Sequence, residues 1–90
     1  MTEQITRNPQ GVTVRVDLLW RIRKLLERVL DQNLETAEDR ALRATMRRCN
    51  GTWLCDLEMP VSQWGVRGMS STREGAAYDV WWLASGSFGL

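Results

Sequence analysis

Histidine is absent from this 90-residue chain, and lysine and cysteine are scarce. Without histidine the chain lacks the commonest general base, the commonest zinc ligand and the usual partner of a serine or cysteine nucleophile. Its two cysteines, Cys49 and Cys55, cannot complete a four-ligand zinc site within one chain. We therefore expect no enzymatic activity, no metal and no cofactor, and we expect both cysteines to act as small apolar residues.

Long hydrophobic runs are missing too, so the sequence offers no candidate membrane span, and its first residues lack a signal-peptide pattern. We expect a cytoplasmic protein whose cysteines stay reduced. The glycine-rich segment 65–72 has neither the lysine nor the strand-to-helix context of a phosphate-binding loop. Because the net charge is only +1, attraction to an anionic partner would have to come from local clustering of charge.

The sequence does contain the composition of a globular domain, with 43% hydrophobic and 26% charged residues. Valines alternate with polar residues over 11–16, which predicts a strand. Residues 17–32 follow with a helical period, which predicts an amphipathic helix. The apolar stripe of this helix consists of Leu18, Leu19, Ile22, Leu25, Leu26, Val29 and Leu30.

A second helix is predicted over residues 37–49, because Thr36 and Asp39 resemble a capping box and Asn50-Gly51 fits a left-handed helix end. Alternation returns over residues 52–59 and predicts a strand that ends at Pro60. Residues 61–75 read as a long exposed loop, and residues 76–84 as a last strand.

These elements predict an α+β fold of order β-α-α-β-β, with two antiparallel helices packed on a three-stranded antiparallel sheet. We expect one α+β domain over residues 11–84. Residues 1–10 are expected to form a flexible N-terminal arm, and residues 85–90 a frayed C-terminal tail.

One tryptophan of the first helix lies on its polar face. Trp20 is about 180–200° around the helix from the apolar stripe, beside Lys24, Glu27 and Asp31. A large aromatic side chain in this position is typical of an interface anchor. The structural alternative is that Trp20 stacks on Lys24 or folds over a neighbouring element.

The predicted last strand carries Trp81 and Trp82 on opposite faces. If the helices cover one face of the sheet, one of the two rings is exposed and available to a partner. Alternatively, the N-terminal arm or the long loop covers it, for instance through Trp64.

Arginines dominate the basic residues, with eleven arginines against the single Lys24. On the predicted second helix, Arg40, Arg43 and Arg47 lie within about 60° of one another. Like charges at this spacing repel slightly, so the stripe is either a solvated face or a site for an external anion.

The leading functional hypothesis is a non-enzymatic protein-binding module of the inhibitor, adaptor or antitoxin kind. Its predicted binding residues are Trp20, Lys24, Glu27, Asp31, Trp81 and Trp82. The partner is expected to be another protein, either a host target or a second copy in a homodimer. A small chain rich in arginine and tryptophan is compatible with an origin in a phage or mobile element.

The alternative hypothesis is a DNA-binding protein. A strand, two helices and a hairpin with a basic loop resemble the element order of a winged helix-turn-helix over residues 11–84. This resemblance implies that the second helix contacts DNA through Arg40, Arg43 and Arg47, and that Arg67 and Arg73 lie in the wing.

Overall fold

The computed structural model describes residues 9–87 of the chain, and the side chains of residues 17–86. Two helices flank a four-stranded antiparallel sheet in which the strand order follows the chain, β1-β2-β3-β4. The α+β class agrees with prediction, but the element order is α-β-β-β-β-α and the sheet has four strands. The elements are α1 Pro9–Asp31, β1 Thr36–Asp39, β2 Leu42–Cys49, β3 Thr52–Met59, β4 Trp64–Ser70 and α2 Arg73–Ser87.

Helix α1 contains the predicted amphipathic helix and extends it towards the N-terminus. Its buried side chains are Leu19, Ile22, Leu25, Leu26 and Val29, all members of the predicted stripe. The strand predicted over residues 11–16 is wrong, because these residues belong to α1. A short alternation of valines is outweighed by the strong helix it adjoins, and Pro9 in the first turn is well placed to begin that helix.

The predicted second helix is also wrong, because strands β1 and β2 take its place. Leu42 and Met46 are four residues apart, a spacing that puts two side chains on one side of either a helix or a strand. Asn50-Gly51 is a two-residue hairpin turn rather than a helix end, with φ of 52° and 80°. This pair is the commonest sequence for such a turn, because both positions need a positive φ.

Strand β3 confirms the predicted alternation over residues 52–59. Cys55 and Leu57 are fully buried, whereas Asp56 and Glu58 face the open side of the sheet. The loop predicted over residues 61–75 is wrong over most of its length, because β4 pairs with β3 from Trp64 to Ser70 and α2 begins at Arg73. Glycine and serine in this segment conceal a strand that the sequence pattern alone does not reveal.

Residues 76–84 were expected to form a strand, but they lie in α2. Thr72 is the N-cap of this helix, because its hydroxyl accepts a hydrogen bond from the Gly75 N–H at 2.9 Å. The residues that α2 buries recur at helical rather than alternating spacing. They are Ala76, Ala77, Val80 and Ala84.

Both helices pack on one face of the sheet, although the second of them is α2 and not the helix predicted over residues 37–49. Helix α1 lies over β1 and β2, and α2 lies over β3 and β4. Short turns reverse the chain between α1 and β1 and between β4 and α2; since β1 and β4 run in opposite directions, the helices are antiparallel. The sheet contributes Ala37, Leu42, Ala44, Met46, Cys55 and Leu57 to the shared core.

Side chains from the helices bind backbone groups of both outer strands. Asp79 of α2 accepts a hydrogen bond from the Met69 N–H of β4 at 3.1 Å. On β1, Arg28 donates to the Glu38 carbonyl at 2.7 Å, and Arg21 donates to the carbonyl and the carboxylate of Asp39, each at 3.3 Å. Each edge of the sheet is thereby tied to the helix above it.

The predicted terminal segments fall largely outside the described residues. Of the expected arm and tail, the structure describes only residues 9–10, in α1, and residues 85–87, in α2. The remaining residues, 1–8 and 88–90, lie outside the part that is described, so the arm and the tail stay predictions.

We expect Gly68→Ala to lower the free energy of unfolding by about 1–3 kcal/mol, because it forces a methyl group into a packed backbone contact. An added Cβ would lie 2.8 Å from the Val80 nitrogen and would also collide with the Ala76 carbonyl oxygen. Gly86→Ala is the matched control, since a Cβ there meets nothing within 4 Å. Urea unfolding of both variants measures the effect, and equal stability would contradict this packing.

Candidate functional site

Trp20 lies on the solvent side of α1, with 60% of its surface exposed. The Lys24 ammonium is 5.2 Å from the centroid of its ring, a cation–π distance. Lys24 also pairs with Glu27 at 3.7 Å, and Glu27 pairs with Arg23 at 3.2 Å. Asp31 is exposed at the end of the same helix. The stacking of Lys24 on Trp20, which is the alternative to an interface role, is therefore present, but it leaves most of the Trp20 ring exposed to water.

Trp81 and Trp82 point in different directions from α2. Trp81 is half-buried and packs against the core, whereas Trp82 is 67% exposed. Tyr78 lies one turn before Trp82 on the same side and is 66% exposed. Tyr78 is not among the predicted binding residues, because a strand interpretation places it on one face with both Val80 and Trp82. The helical spacing of the alanines and Val80 is the signal that could have revealed it.

A groove separates α1 from α2 on the surface of the protein. Its apolar lining comes from Leu26 and Leu30 of α1 and from Ala77, Tyr78 and Trp81 of α2, and its volume is about 390 Å³. We call this feature the helix groove.

Charged side chains of both signs also line the helix groove. They are Arg23 and Glu27 of α1 and Glu74 of α2. Glu27 also pairs with Lys24, and Lys24 contacts the ring of Trp20. Trp20 and Lys24 are therefore connected to the groove through Glu27. Four of the predicted residues, Trp20, Lys24, Glu27 and Trp81, thus belong to one connected surface.

The arginines predicted to form a helical stripe lie instead on the hairpin of β1 and β2. Arg40 is in the turn, with a φ of 55°. Arg43 points to the open face of the sheet, where it pairs with Glu58 at 3.3 Å and with Glu38 at 3.9 Å. Its charge is therefore compensated within the sheet.

Asp56 holds a second group of charges on the same open face. Arg67 donates two hydrogen bonds to this carboxylate, at 2.6 and 3.2 Å. The hydrogen bond and the charge of Asp56 raise the pKa of Arg67. Arg47 is farther away, 4.0 Å from the same carboxylate. A bidentate pair of this kind leaves Asp56 little capacity for a further cation.

Arg73, the last of the predicted DNA-contacting residues, is half-buried at the start of α2 rather than in an exposed wing. Its Nη2 donates to the carbonyl oxygens of Val29 at 2.8 Å and Leu34 at 3.4 Å, where α1 ends. Its guanidinium also lies 5.3 Å from the centroid of the Trp53 ring. One side chain at the start of α2 thereby connects the end of α1 to strand β3.

The two cysteines have different environments. Cys49 is exposed at the end of β2, whereas Cys55 is buried in the core. Burial, with a smaller contribution from Asp56, raises the pKa of Cys55 from 9.0 to about 12, although Arg73 acts in the opposite direction. The raised pKa keeps the Cys55 thiol neutral at physiological pH, and a neutral thiol is a poor nucleophile.

Within residues 9–87, no three acidic, cysteine or histidine side chains come together in a way that could hold a metal ion. Neither of the two described helices combines the length and the apolar character needed to cross a membrane.

Comparison of this chain with protein-family models, with curated proteins and with solved structures finds no match. Its functional assignment therefore rests on the surfaces and side chains described above.

We expect Arg73→Met to lower the free energy of unfolding by about 2 kcal/mol, because it removes charged donors from two carbonyls and the cation from Trp53. Arg40→Met is the control, since Arg40 is exposed and makes no ion pair with any described residue. Urea unfolding of the two variants provides the comparison. A loss no larger for Arg73→Met than for Arg40→Met would show that the contact contributes little.

Alkaline pH should weaken the fold through Cys55. Above pH 9 the unfolded chain ionises this thiol while the folded chain keeps it neutral up to about pH 12, so stability falls by about 1.4 kcal/mol per pH unit in that window. Cys55→Ala removes this effect, whereas Cys49→Ser retains it. The stability advantage of the parent chain over Cys55→Ala should shrink by about 2 kcal/mol between pH 8 and pH 10.5, measured by urea unfolding. A constant difference would contradict a raised pKa.

Proposed function

We propose that this chain is a non-enzymatic protein-binding module whose binding surface is the helix groove together with the exposed rings of Tyr78 and Trp82. The observation that carries the proposal is the arrangement of α2. Its small residues pack on the sheet, and two of its large aromatic residues, Tyr78 and Trp82, face outward. The core does not require those rings, because both are about two-thirds exposed.

The shape of this surface supports a protein partner. Exposed tyrosine and tryptophan are the residue types that contribute most to binding energy at interfaces, since they bury a large area with few rotatable bonds. The helix groove adds an apolar depression beside them, into which one or two side chains of a partner could insert. Its charged residues are of both signs and would form a polar rim.

The charges of the sheet favour a protein over DNA. Arg43 and Arg67 both pair with acidic residues on the open face, so they offer little free charge to phosphates. Arg73 is held at the end of α1 rather than in an exposed wing. Residues 37–49, which the DNA-binding hypothesis treats as a recognition helix, lie in the hairpin of β1 and β2. We therefore propose a protein partner alone.

We expect Trp82→Gln and Tyr78→Gln each to weaken partner binding by about 2 kcal/mol or more, if the rings are central to the interface. Affinity capture from a lysate of the source cells, followed by mass spectrometry, identifies proteins held by the parent chain. Quantitative binding of the identified protein then gives the loss for each variant. Sedimentation of the purified chain tests a second copy as the partner.

Met69→Gln is the matched control for both variants. Met69 is 60% exposed, which is similar to the 67% of Trp82, but it lies on the open face of the sheet. Surface substitutions of this kind change stability by less than about 0.5 kcal/mol, so all three variants should stay folded. If Trp82→Gln and Tyr78→Gln bind every captured partner as tightly as Met69→Gln does, the proposed surface is wrong.

A further inference from the structure

A second cleft lies at the end of the sheet, away from the helix groove. It forms where the turn after α1, the hairpin of β2 and β3, and the start of α2 come together, and its volume is about 480 Å³. Pockets of this size accommodate small organic ligands. Its lining is predominantly polar and includes Arg47, Arg48, Arg73, Glu35 and Trp53. We call it the arginine cleft.

Positive charge in the arginine cleft exceeds negative charge. Arg47 directs its guanidinium to Asp56 on the open face of the sheet. The other two arginines, Arg48 and Arg73, line the cleft against a single carboxylate among the described residues, that of Glu35, which leaves an excess of one positive charge. The whole chain has a net charge of only +1. The excess charge of the cleft equals that net charge, so the rest of the chain is neutral in sum.

Neither of these two guanidinium groups has an acidic partner among residues 17–86. Arg48 is exposed and makes no hydrogen bond or ion pair with any residue in that range.

Arg73 differs because it is well hydrogen-bonded, yet its partners are the carbonyl oxygens of Val29 and Leu34. Carbonyl groups accept its hydrogen bonds without cancelling its charge. The cleft thus holds one arginine fixed by the fold and one, Arg48, that is free to close on a ligand.

We propose that the arginine cleft binds the phosphate group of a small organic phosphate. Guanidinium groups bind phosphate through paired, charge-assisted hydrogen bonds. A phosphate monoester carries about 1.5 to 2 negative charges at pH 7, which is about one for each of the two guanidinium groups of the cleft. A carboxylate would compensate only one of them. The volume beyond the phosphate leaves room for an organic substituent next to Trp53.

The test is a titration of the full chain with three probes at constant ionic strength, followed by amide chemical shifts in nuclear magnetic resonance. The probes are inorganic phosphate, adenosine monophosphate and adenosine. Binding of inorganic phosphate or of the nucleotide, with shifts concentrated at residues 33–35, 46–48, 53 and 73, supports the proposal. Comparable binding of both phosphates shows that the phosphate group suffices, and tighter binding of the nucleotide shows that the substituent contributes.

The proposal would be overturned if neither inorganic phosphate nor adenosine monophosphate saturates the chain at 10 mM, which is roughly the weakest affinity that is useful for a ligand. It would also be overturned if adenosine binds as tightly as its monophosphate.

Two variants test the assignment of residues. Arg48→Gln should weaken phosphate binding about tenfold or more, because it removes the free guanidinium. Arg40→Gln removes the same charge from an exposed turn outside the cleft and should leave the affinity within about twofold. Glu35→Gln should tighten binding about twofold, since it removes the only carboxylate in the cleft.

All three residues are exposed, so each variant should keep the unfolding midpoint of the parent chain in urea. Equal weakening by Arg48→Gln and Arg40→Gln would mean that phosphate responds to overall charge and would overturn the site. Tyr78→Gln and Trp82→Gln should not alter phosphate binding, which separates this site from the protein-binding surface.

Discussion

The close contact between α2 and strand β4 determines how the rest of this protein is arranged. Gly68 has no side chain, so the backbone of α2 comes directly against the strand at Ala76 and Val80. Only small residues fit on the helix side of such a contact. All the large residues of α2 must then point elsewhere: Trp81 turns towards α1, and Tyr78 and Trp82 turn to solvent. The proposed binding surface is thus a direct result of tight packing on the other side of the helix.

Arg73 adds a second constraint at the beginning of α2. Its hydrogen bonds to Val29 and Leu34 satisfy carbonyls at the C-terminal end of α1, where helices leave such groups without partners. Stacking on Trp53 links the same side chain to β3. The beginning of α2 is therefore fixed by a polar contact and its middle by close packing, which together hold the width of the helix groove.

Sequence patterns predicted those elements in which a single period dominates. The apolar stripe of α1 from Leu19 to Val29 and the alternation of β3 are of this kind, and both are present. The errors arose where two periods coincide or where the pattern is weak. Leu42 and Met46 satisfy a helix and a strand equally, and Asn50-Gly51 suits both a helix end and a hairpin. In this chain the hairpin turn decides the outcome, because it pairs β2 with β3 over their full length.

The last third of the chain was harder to predict, for a physical reason. Gly68 weakens the strand signal of β4, and aromatic residues in α2 imitate a strand. The glycine of β4 and the outward aromatic residues of α2 both result from one requirement, that the backbone of the helix pack directly against the strand. That requirement is visible only in three dimensions. The exposure of Trp20 could be predicted from its angle on α1, whereas Tyr78 and the arginine cleft depend on contacts between residues far apart in sequence.

The bonds from the helices to the outer strands have a consequence for behaviour at high concentration. Unpaired edge strands are the places where sheets of separate molecules join, and such joining leads to aggregation. Here Asp79 places a carboxylate at the edge of β4, and Arg28 and Arg21 place guanidinium groups at the edge of β1. An approaching strand would have to displace these charged groups before it could pair. Exposed aromatic rings can therefore persist on α2 without the sheet itself becoming a template for fibres.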